Sequence, residues 1–120
     1  MTPEQINRTL AEKLMGWTDI DYYPGGNILY GCPNDDYNRL YPTNKERWPI
    51  PDYYADISQA IEVVEKFQDW SIRKTKIAVL LTEDAYRCSV YYNDEWISGT
   101  GKAPSAAICE AAVEALTNET

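Results

Sequence analysis

Residues 70 to 99 carry the pattern that most constrains the fold, because their side chains alternate between the two faces of short runs. In "YRCSVYY" every second residue is apolar or aromatic, namely Tyr86, Cys88, Val90 and Tyr92. Such a period of two is typical of a strand with one buried face. The runs "WSIRK", "KIAVLLT" and "EWISG" surround it, with the hairpin-sized connections "TEDA" and "NDE". The pattern predicts an antiparallel meander.

Two segments before the meander have the spacing of amphipathic helices. The first begins at "TPEQ", where Thr2 and Gln5 have the positions of a capping box, and ends at Gly16. The second runs from about Tyr54 to Phe67, with Asp56 as its N-cap. Its apolar stripe is predicted to consist of Ile57, Ile61, Val64 and Phe67.

A third helix, rich in alanine, is predicted from about Pro104 to Leu116, where small residues allow close approach to a sheet. We therefore expect an α+β fold, a mainly antiparallel four- to five-stranded sheet packed with three helices. The chain has 120 residues, and 1–120 is predicted to be a single domain.

Residues 18 to 54 lie between the segments with clear hydrophobic periodicity and contain five of the seven prolines and eight of the fifteen aromatic residues. They are predicted to form an irregular Tyr/Pro/Gly-rich insert.

The charge and the reactive residues limit the classes of function. The formal net charge of −8 disfavours direct binding to DNA or RNA, whose phosphates would be repelled. Histidine is absent and Cys32, Cys88 and Cys109 are widely spaced, so neither a zinc site nor any other metal site or cofactor is expected. The three cysteines are predicted to be reduced, partly buried thiols. No membrane span and no secretory signal are expected, which predicts a cytoplasmic location.

No motif in the chain predicts catalysis. The "GTGK" run at Gly99 to Lys102 lacks the first glycine of a phosphate-binding loop and has Ala103 where that loop needs a hydroxyl residue. It is interpreted as a connection between a strand and a helix. The acidic pairs fall in predicted turns, and without histidine the usual nucleophile–base pairs cannot form. The chain is therefore predicted not to be an enzyme, and no catalytic residue is assigned.

The best candidate site is a group of aromatic residues before and at the start of the second helix. Tyr and Trp dominate binding hot spots because each combines apolar area with a polar group. The alternative is that these rings only cover the sheet. The predicted binding residues are Trp17, Tyr22, Tyr23, Tyr30, Trp48, Tyr53, Tyr54 and Asp56. Three nearby cations, Arg39, Lys45 and Arg47, are candidate contacts to a phosphate.

The order of these parts resembles the phage ABA sandwich domain family over nearly the whole chain. The resemblance is carried by "LAEKLMGW", "PIPDYYADISQAIEVVEKF" and "APSAAICEAAVEAL", and most specifically by Met15-Gly16-Trp17, Pro51-Asp52-Tyr53 and Ala107-Ile108-Cys109. The chain departs from the family pattern at Tyr54-Ala55, where members often have a Ser-Thr pair. The resemblance implies an antiparallel sheet with helices packed on it and a phage or prophage origin, and it implies no shared activity.

From these observations we expect a non-enzymatic phage accessory protein, active in counter-defence, that binds and inhibits a host protein. The partner in this hypothesis is a nucleic-acid-handling defence enzyme, with the acidic surface imitating nucleic acid and the rings acting as anchors. One alternative is a protein that sequesters a cyclic or modified nucleotide signal. Another is a structural phage protein that assembles with itself as a homo-oligomer.

Overall fold

The computed structural model describes residues 1–22, 26, 28–76 and 84–117. Within them the chain forms two compact units, Met1–Pro51 and Asp52–Thr120. Each unit contains one three-stranded antiparallel sheet and two helices. The α+β class predicted from the sequence is confirmed. The predicted counts of strands and helices are wrong. The described residues form two sheets of three strands and four helices, where one sheet of four to five strands and three helices were predicted.

The first unit contains a helix followed by a small sheet. Its elements are α1 (Pro3–Lys13), β1 (Thr18–Tyr22), β2 (Leu29–Cys32), α2 (Asp36–Leu40) and β3 (Trp48–Pro49), with strand order β1-β2-β3. The capping box of α1 is confirmed, since Thr2 accepts from the Gln5 amide while the Gln5 side chain accepts from the Thr2 amide. Gly16, at φ 78°, ends the first helical segment as predicted.

The predicted irregular insert is therefore partly regular. Within it, β1 and β2 form an antiparallel pair in which Tyr22 pairs with Leu29, whereas Tyr23, Pro24, Gly25 and Asn27 lie outside the described residues. The third strand and α2 were not predicted. Gly31 of β2 pairs with Trp48 of β3, and Asp35 caps α2 by accepting from the Asn38 amide. Buried Asn38 in turn holds the connection to β3, because it accepts from the Glu46 amide and donates to the Glu46 carbonyl.

The second unit contains a helix, a meander and a terminal helix. Its elements are α3 (Ile57–Val64), β4 (Trp70–Lys76), β5 (Asp84–Tyr92), β6 (Glu95–Gly101) and α4 (Pro104–Thr117), with strand order β4-β5-β6. The predicted alternation in β5 is confirmed, since Cys88 and Val90 are fully buried and Arg87 is exposed. Most of "KIAVLLT" and the start of "TEDA" lie outside the described residues.

The turn between β5 and β6 fixes how these two strands of the meander pair. Asn93 and Asp94 have φ values of 51° and 65°, and Tyr92 pairs with Glu95 on either side of them. Two consecutive residues in the left-handed region form the type I′ turn that matches the twist of a hairpin, and Asn and Asp tolerate that region best after glycine. The turn thereby fixes which residues of β5 and β6 share a face.

The terminal helix α4 lies directly on β6, and two glycines permit this close packing. A Cβ atom at Gly99 would come within 2.6 Å of the Glu110 carbonyl carbon and 2.8 Å of the Ala111 Cα. A Cβ atom at Gly101 would lie 2.7 Å from the Ala106 Cβ. The interpretation of "GTGK" as a connection between a strand and a helix holds only for Lys102, because Gly99, Thr100 and Gly101 are the last residues of β6. Both glycines of the strand face the helix backbone.

Helix α3 has the predicted N-cap, but at Ile57–Val64 it is shorter at both ends than the predicted range of about Tyr54 to Phe67. Asp56 is its N-cap and accepts from the Ser58 amide, and Ala60, Val63 and Val64 are buried. Placing Ile57 on the inward stripe was wrong, because 45% of its surface is exposed. Residue 57 is the first of the helix, whereas Val64 and Phe67 are buried as predicted, and Ala60 and Val63 are buried beside them.

Candidate functional site

The predicted ring residues of the first unit are mostly accessible. Trp48 and Tyr22 are exposed over 52% and 47% of their surfaces, and Trp17 and Tyr30 are half-buried. Tyr22 also contacts α1, since its hydroxyl donates to the Glu4 carboxylate and that bond raises the pKa of the phenol. The predicted site residue Tyr23 lies outside the described residues.

The predicted site residues of the second unit have structural roles. Only 1% of Tyr53 is exposed, so its ring cannot act as a surface anchor. Tyr54 is half-buried, and burial together with the nearby Glu110 carboxylate raises the pKa of its hydroxyl. Asp56 uses its carboxylate to cap α3. Sequence alone could not separate these cases, because tyrosine serves equally in cores and in binding surfaces.

The three predicted phosphate contacts are engaged within the first unit. Arg39 forms an ion pair with Asp36, one turn away on α2. Arg47 donates to the carbonyls of Asp19 and Tyr30, at 3.2 and 3.4 Å, and thereby connects β1 with β2. Lys45 donates to the Thr18 hydroxyl at 3.3 Å. These bonds are contacts of the fold, and whether any of the three also meets a phosphate stays a prediction.

An open acidic depression lies beside Trp17 in the first unit. It has a volume of about 380 Å³ and is lined by Glu12, Trp17, Thr18, Asp19 and Ile20. Asp19 has a φ of 54°, and the pairing of β1 with β2 shifts register between Thr18 and Asp21. This bulge turns residue 19 out of the regular alternation. We call these five residues the acidic depression.

The acidic depression also affects the buried thiol behind it. Burial raises the pKa of Cys32, and the charge of Asp19 raises it further, while the charges of Lys45 and Arg47 act in the opposite direction. Sequence reasoning identified Trp17 and missed Glu12 and Asp19. The bulge that turns Asp19 outward leaves no periodic signal in "WTDIDY".

A second polar surface covers the outer side of the β4-β5-β6 sheet, opposite α4. It forms a shallow concavity of about 440 Å³ lined by Ser71, Arg73, Arg87, Ser89, Trp96 and Ser98. We call these six residues the arginine face. Arg73 lies directly across from Arg87, and Ser89 pairs with both Ser71 and Ser98. The outward set of β5 contains two of these residues, but their neighbours on β4 and β6 depend on strand register, which the sequence did not predict.

Hydrogen bonds connect the strands across the arginine face. The hydroxyls of Ser89 and Ser98 lie 2.8 Å apart, and Arg87 donates to the Ser98 hydroxyl at 3.4 Å. At the hairpin end the rings of Tyr91 and Trp96 pack with centroids 5.4 Å apart. Trp96 remains exposed over 53% of its surface.

Three further observations concern the cysteines, metal binding and membrane insertion. The cysteines are free and buried, as predicted. Among the described residues, no group of three or more His, Cys, Asp or Glu side chains could hold a metal ion. In the same part of the chain, no helix is both long and apolar enough to cross a bilayer.

The fold and the two surfaces define a small α+β protein. Its terminal helix packs closely on two glycines of β6, and the opposite face of that sheet is exposed. The chain matches the Phage ABA sandwich domain over residues 8–113 and belongs to that family, so it is a phage protein. A similar solved structure is the 2.0 Å crystal structure of a phage protein from Bacillus cereus ATCC 14579. With a TM-score of 0.64 and 23% identity, covering 100% of this chain and 92% of the other, it shows the same fold. No curated protein matches the sequence.

Proposed function

We propose that this phage protein is a non-enzymatic accessory protein that binds and inhibits a host protein during counter-defence. The observation that carries the proposal is the acidic depression, where Trp17 lies with the carboxylates of Glu12 and Asp19 in one open hollow. This arrangement suits a basic side chain of the partner. A guanidinium forms strong charge-assisted bonds to carboxylates and is attracted to an indole face.

The charge of the whole chain supports the same kind of partner. A net charge of −8 attracts a basic surface and speeds the encounter with it. The partner proposed here is a host enzyme that handles nucleic acid, because such an enzyme has a basic groove for phosphates. Carboxylates around the depression would occupy that groove in place of phosphates.

Exposed rings on the first unit supply the apolar part of the contact. Trp48 and Tyr22 each expose about half of their surface. Ring residues of this kind contribute most of the binding energy in many interfaces. Trp48→Ala should therefore weaken binding roughly tenfold or more without unfolding the protein.

The test compares two double variants with the same change in net charge. Glu12→Gln with Asp19→Asn removes both carboxylates of the acidic depression. Glu62→Gln with Asp94→Asn removes two exposed carboxylates elsewhere, and Asp94 matches Asp19 because both have a positive φ. A host protein captured by the wild-type chain is purified and titrated with all three forms, and its own activity is followed in the same titration.

The proposal expects the first double variant to lose at least tenfold in affinity and the second to lose little. Wild-type binding should weaken between about 0.1 M and 1 M salt, where the Debye length falls from about 10 Å to about 3 Å. Equal losses in both double variants, or binding that ignores salt, would contradict the proposal. Binding that leaves the host protein's activity unchanged would contradict the inhibitory role. A solution mass of several chains in the absence of any partner would favour self-assembly instead.

A further inference from the structure

The arginine face is a cationic surface on a strongly acidic protein. Arg73 and Arg87 face each other across β4 and β5, and both side chains are exposed. Like charges directly opposite each other on neighbouring strands destabilise a sheet. Among the side chains that the structure describes, no carboxylate lies within ion-pair distance of either guanidinium. An anion bound between them would remove this repulsion.

The groups around the two arginines are those that bind a phosphate. The hydroxyls of Ser71, Ser89 and Ser98 form one row across the three strands, next to the arginine pair. Guanidinium groups bind phosphate oxygens through two parallel bonds, and hydroxyls supply additional donors. The Ser89 and Ser98 hydroxyls already lie 2.8 Å apart, so this row is ordered before any ligand arrives.

The other end of the same face offers a ring for stacking. Trp96 lines the concavity, and Tyr91 packs against its ring at 5.4 Å, which restricts the orientation of the indole. Aromatic side chains stack on nucleobases regardless of base identity. Two residues along a strand span about 7 Å, so the serine row lies about 7 Å from the arginine pair and from the ring pair alike.

The geometry points to a binding site for a single nucleotide on the arginine face. The phosphate binds to Arg73 and Arg87, the serine row contacts the phosphate or the sugar hydroxyls, and the base stacks on Trp96. The concavity of about 440 Å³ is in the usual range for small-molecule sites. A long nucleic acid is disfavoured because a polymer would extend from this small patch onto a protein of net charge −8. This site shares no residue with the acidic depression and does not depend on the function proposed above.

Binding is measured as a rise in melting temperature and as a change in tryptophan fluorescence. The probes are ribonucleoside monophosphates and diphosphates, cyclic mononucleotides and dinucleotides, adenosine, inorganic phosphate and a ten-nucleotide single-stranded DNA. The variants are Arg73→Gln, Arg87→Gln and Trp96→Ala. Their controls are Arg8→Gln, which removes an exposed arginine of the first unit, and Tyr41→Ala, whose ring is exposed over 53% of its surface, as is that of Trp96.

At least one nucleotide should stabilise the wild-type protein, and more strongly than phosphate or adenosine alone. Each arginine variant should weaken this binding roughly tenfold to a hundredfold, because a hydrogen bond to a charged group is lost. Trp96→Ala should weaken it about tenfold through lost stacking. Both controls should bind as the wild type does.

A second readout distinguishes a binding role from damage to the fold. Without ligand, Arg73→Gln should melt at a higher temperature than the wild type, since the repulsion from Arg87 is relieved. The same variant should nevertheless respond less to the nucleotide. An arginine variant that melts lower and still binds normally would overturn the assignment.

Three other results would also overturn it. The first is the absence of any response to every nucleotide at millimolar concentration. The second is equal binding of phosphate and nucleotides with no effect of Trp96→Ala, which would reduce the face to a simple anion site. The third is binding of the single-stranded DNA alone, which would assign the face to a polymer.

Discussion

At the scale of the residue, the missing side chain of Gly99 decides how closely α4 approaches the sheet. An added Cβ would meet backbone atoms of Glu110 and Ala111, which cannot rotate away as a side chain could. Gly99→Ala should therefore force the helix outward and lower the free energy of unfolding by about 2–3 kcal/mol. Denaturant unfolding of the variant and the wild type measures this difference.

Thr100 provides the control on the same strand. It is exposed on the opposite face of β6, so Thr100→Ala should change stability by no more than about 0.5 kcal/mol. If Gly99→Ala proves as harmless as Thr100→Ala, the close packing of α4 on β6 is not as described.

At the scale of the element, α3 depends on its N-cap. Asp56 accepts a hydrogen bond of 2.9 Å from the Ser58 amide and satisfies a donor that the helix itself leaves unpaired. Asp56→Ala should cost about 1 kcal/mol of stability. Asp56→Asn should restore most of that loss, because its side-chain oxygen can accept the same bond. Thermal melting of both variants checks this expectation, and a variant pair with identical losses would argue against a capping role.

The same scale shows which elements the sequence could predict. Strands β5 and β6 were predictable because each buries one face against α4 and the other meets solvent, which leaves a period of two. Helix α2 has only five residues and β3 only two, so neither contains enough residues for any period. The contacts of α2 and β3 depend on Asn38 and Gly31, and the roles of these two residues can be recognised only in the folded structure.

The residues of the candidate sites could likewise be predicted only in part. The sequence predicted Trp17, Tyr22 and Trp48, which remain accessible, but it could not recognise that Tyr53 is buried. The arginine face could not be predicted from the hydrophobic periodicity, because Arg73 and Arg87 come together only through the pairing register of β4 with β5. Alternation identifies the outward residues of each strand separately and does not specify which of them pair across the two strands.

At the scale of the whole molecule, titration predicts how stability depends on pH. The chain contains no histidine, so few groups titrate between about pH 6 and pH 8, and stability should be nearly constant there. Burial raises the pKa of Cys88 to about 11 and that of Cys109 to about 12, from an ordinary 9.0. The folded state thus retains thiol protons that the unfolded state releases. The stability due to these protons is complete below pH 9.0 and is lost as the pH rises towards 11 and 12.

Melting temperatures recorded from neutral to strongly alkaline pH test this expectation. Cys109→Ala should flatten the alkaline decline relative to its own value at neutral pH, whatever its effect on absolute stability. A clear maximum or step inside the neutral range would contradict the expectation.

The alternation of β6 separates two tasks within seven consecutive residues. Ile97, Gly99 and Gly101 keep the helix in place, whereas Trp96, Ser98 and Thr100 are free to change with little effect on the interior. A phage lineage could therefore exchange the chemistry of this outer row, or an engineer could randomise it in a library, while the architecture beneath stays the same. Substitutions tolerated by folding should accordingly fall on every second position of the strand.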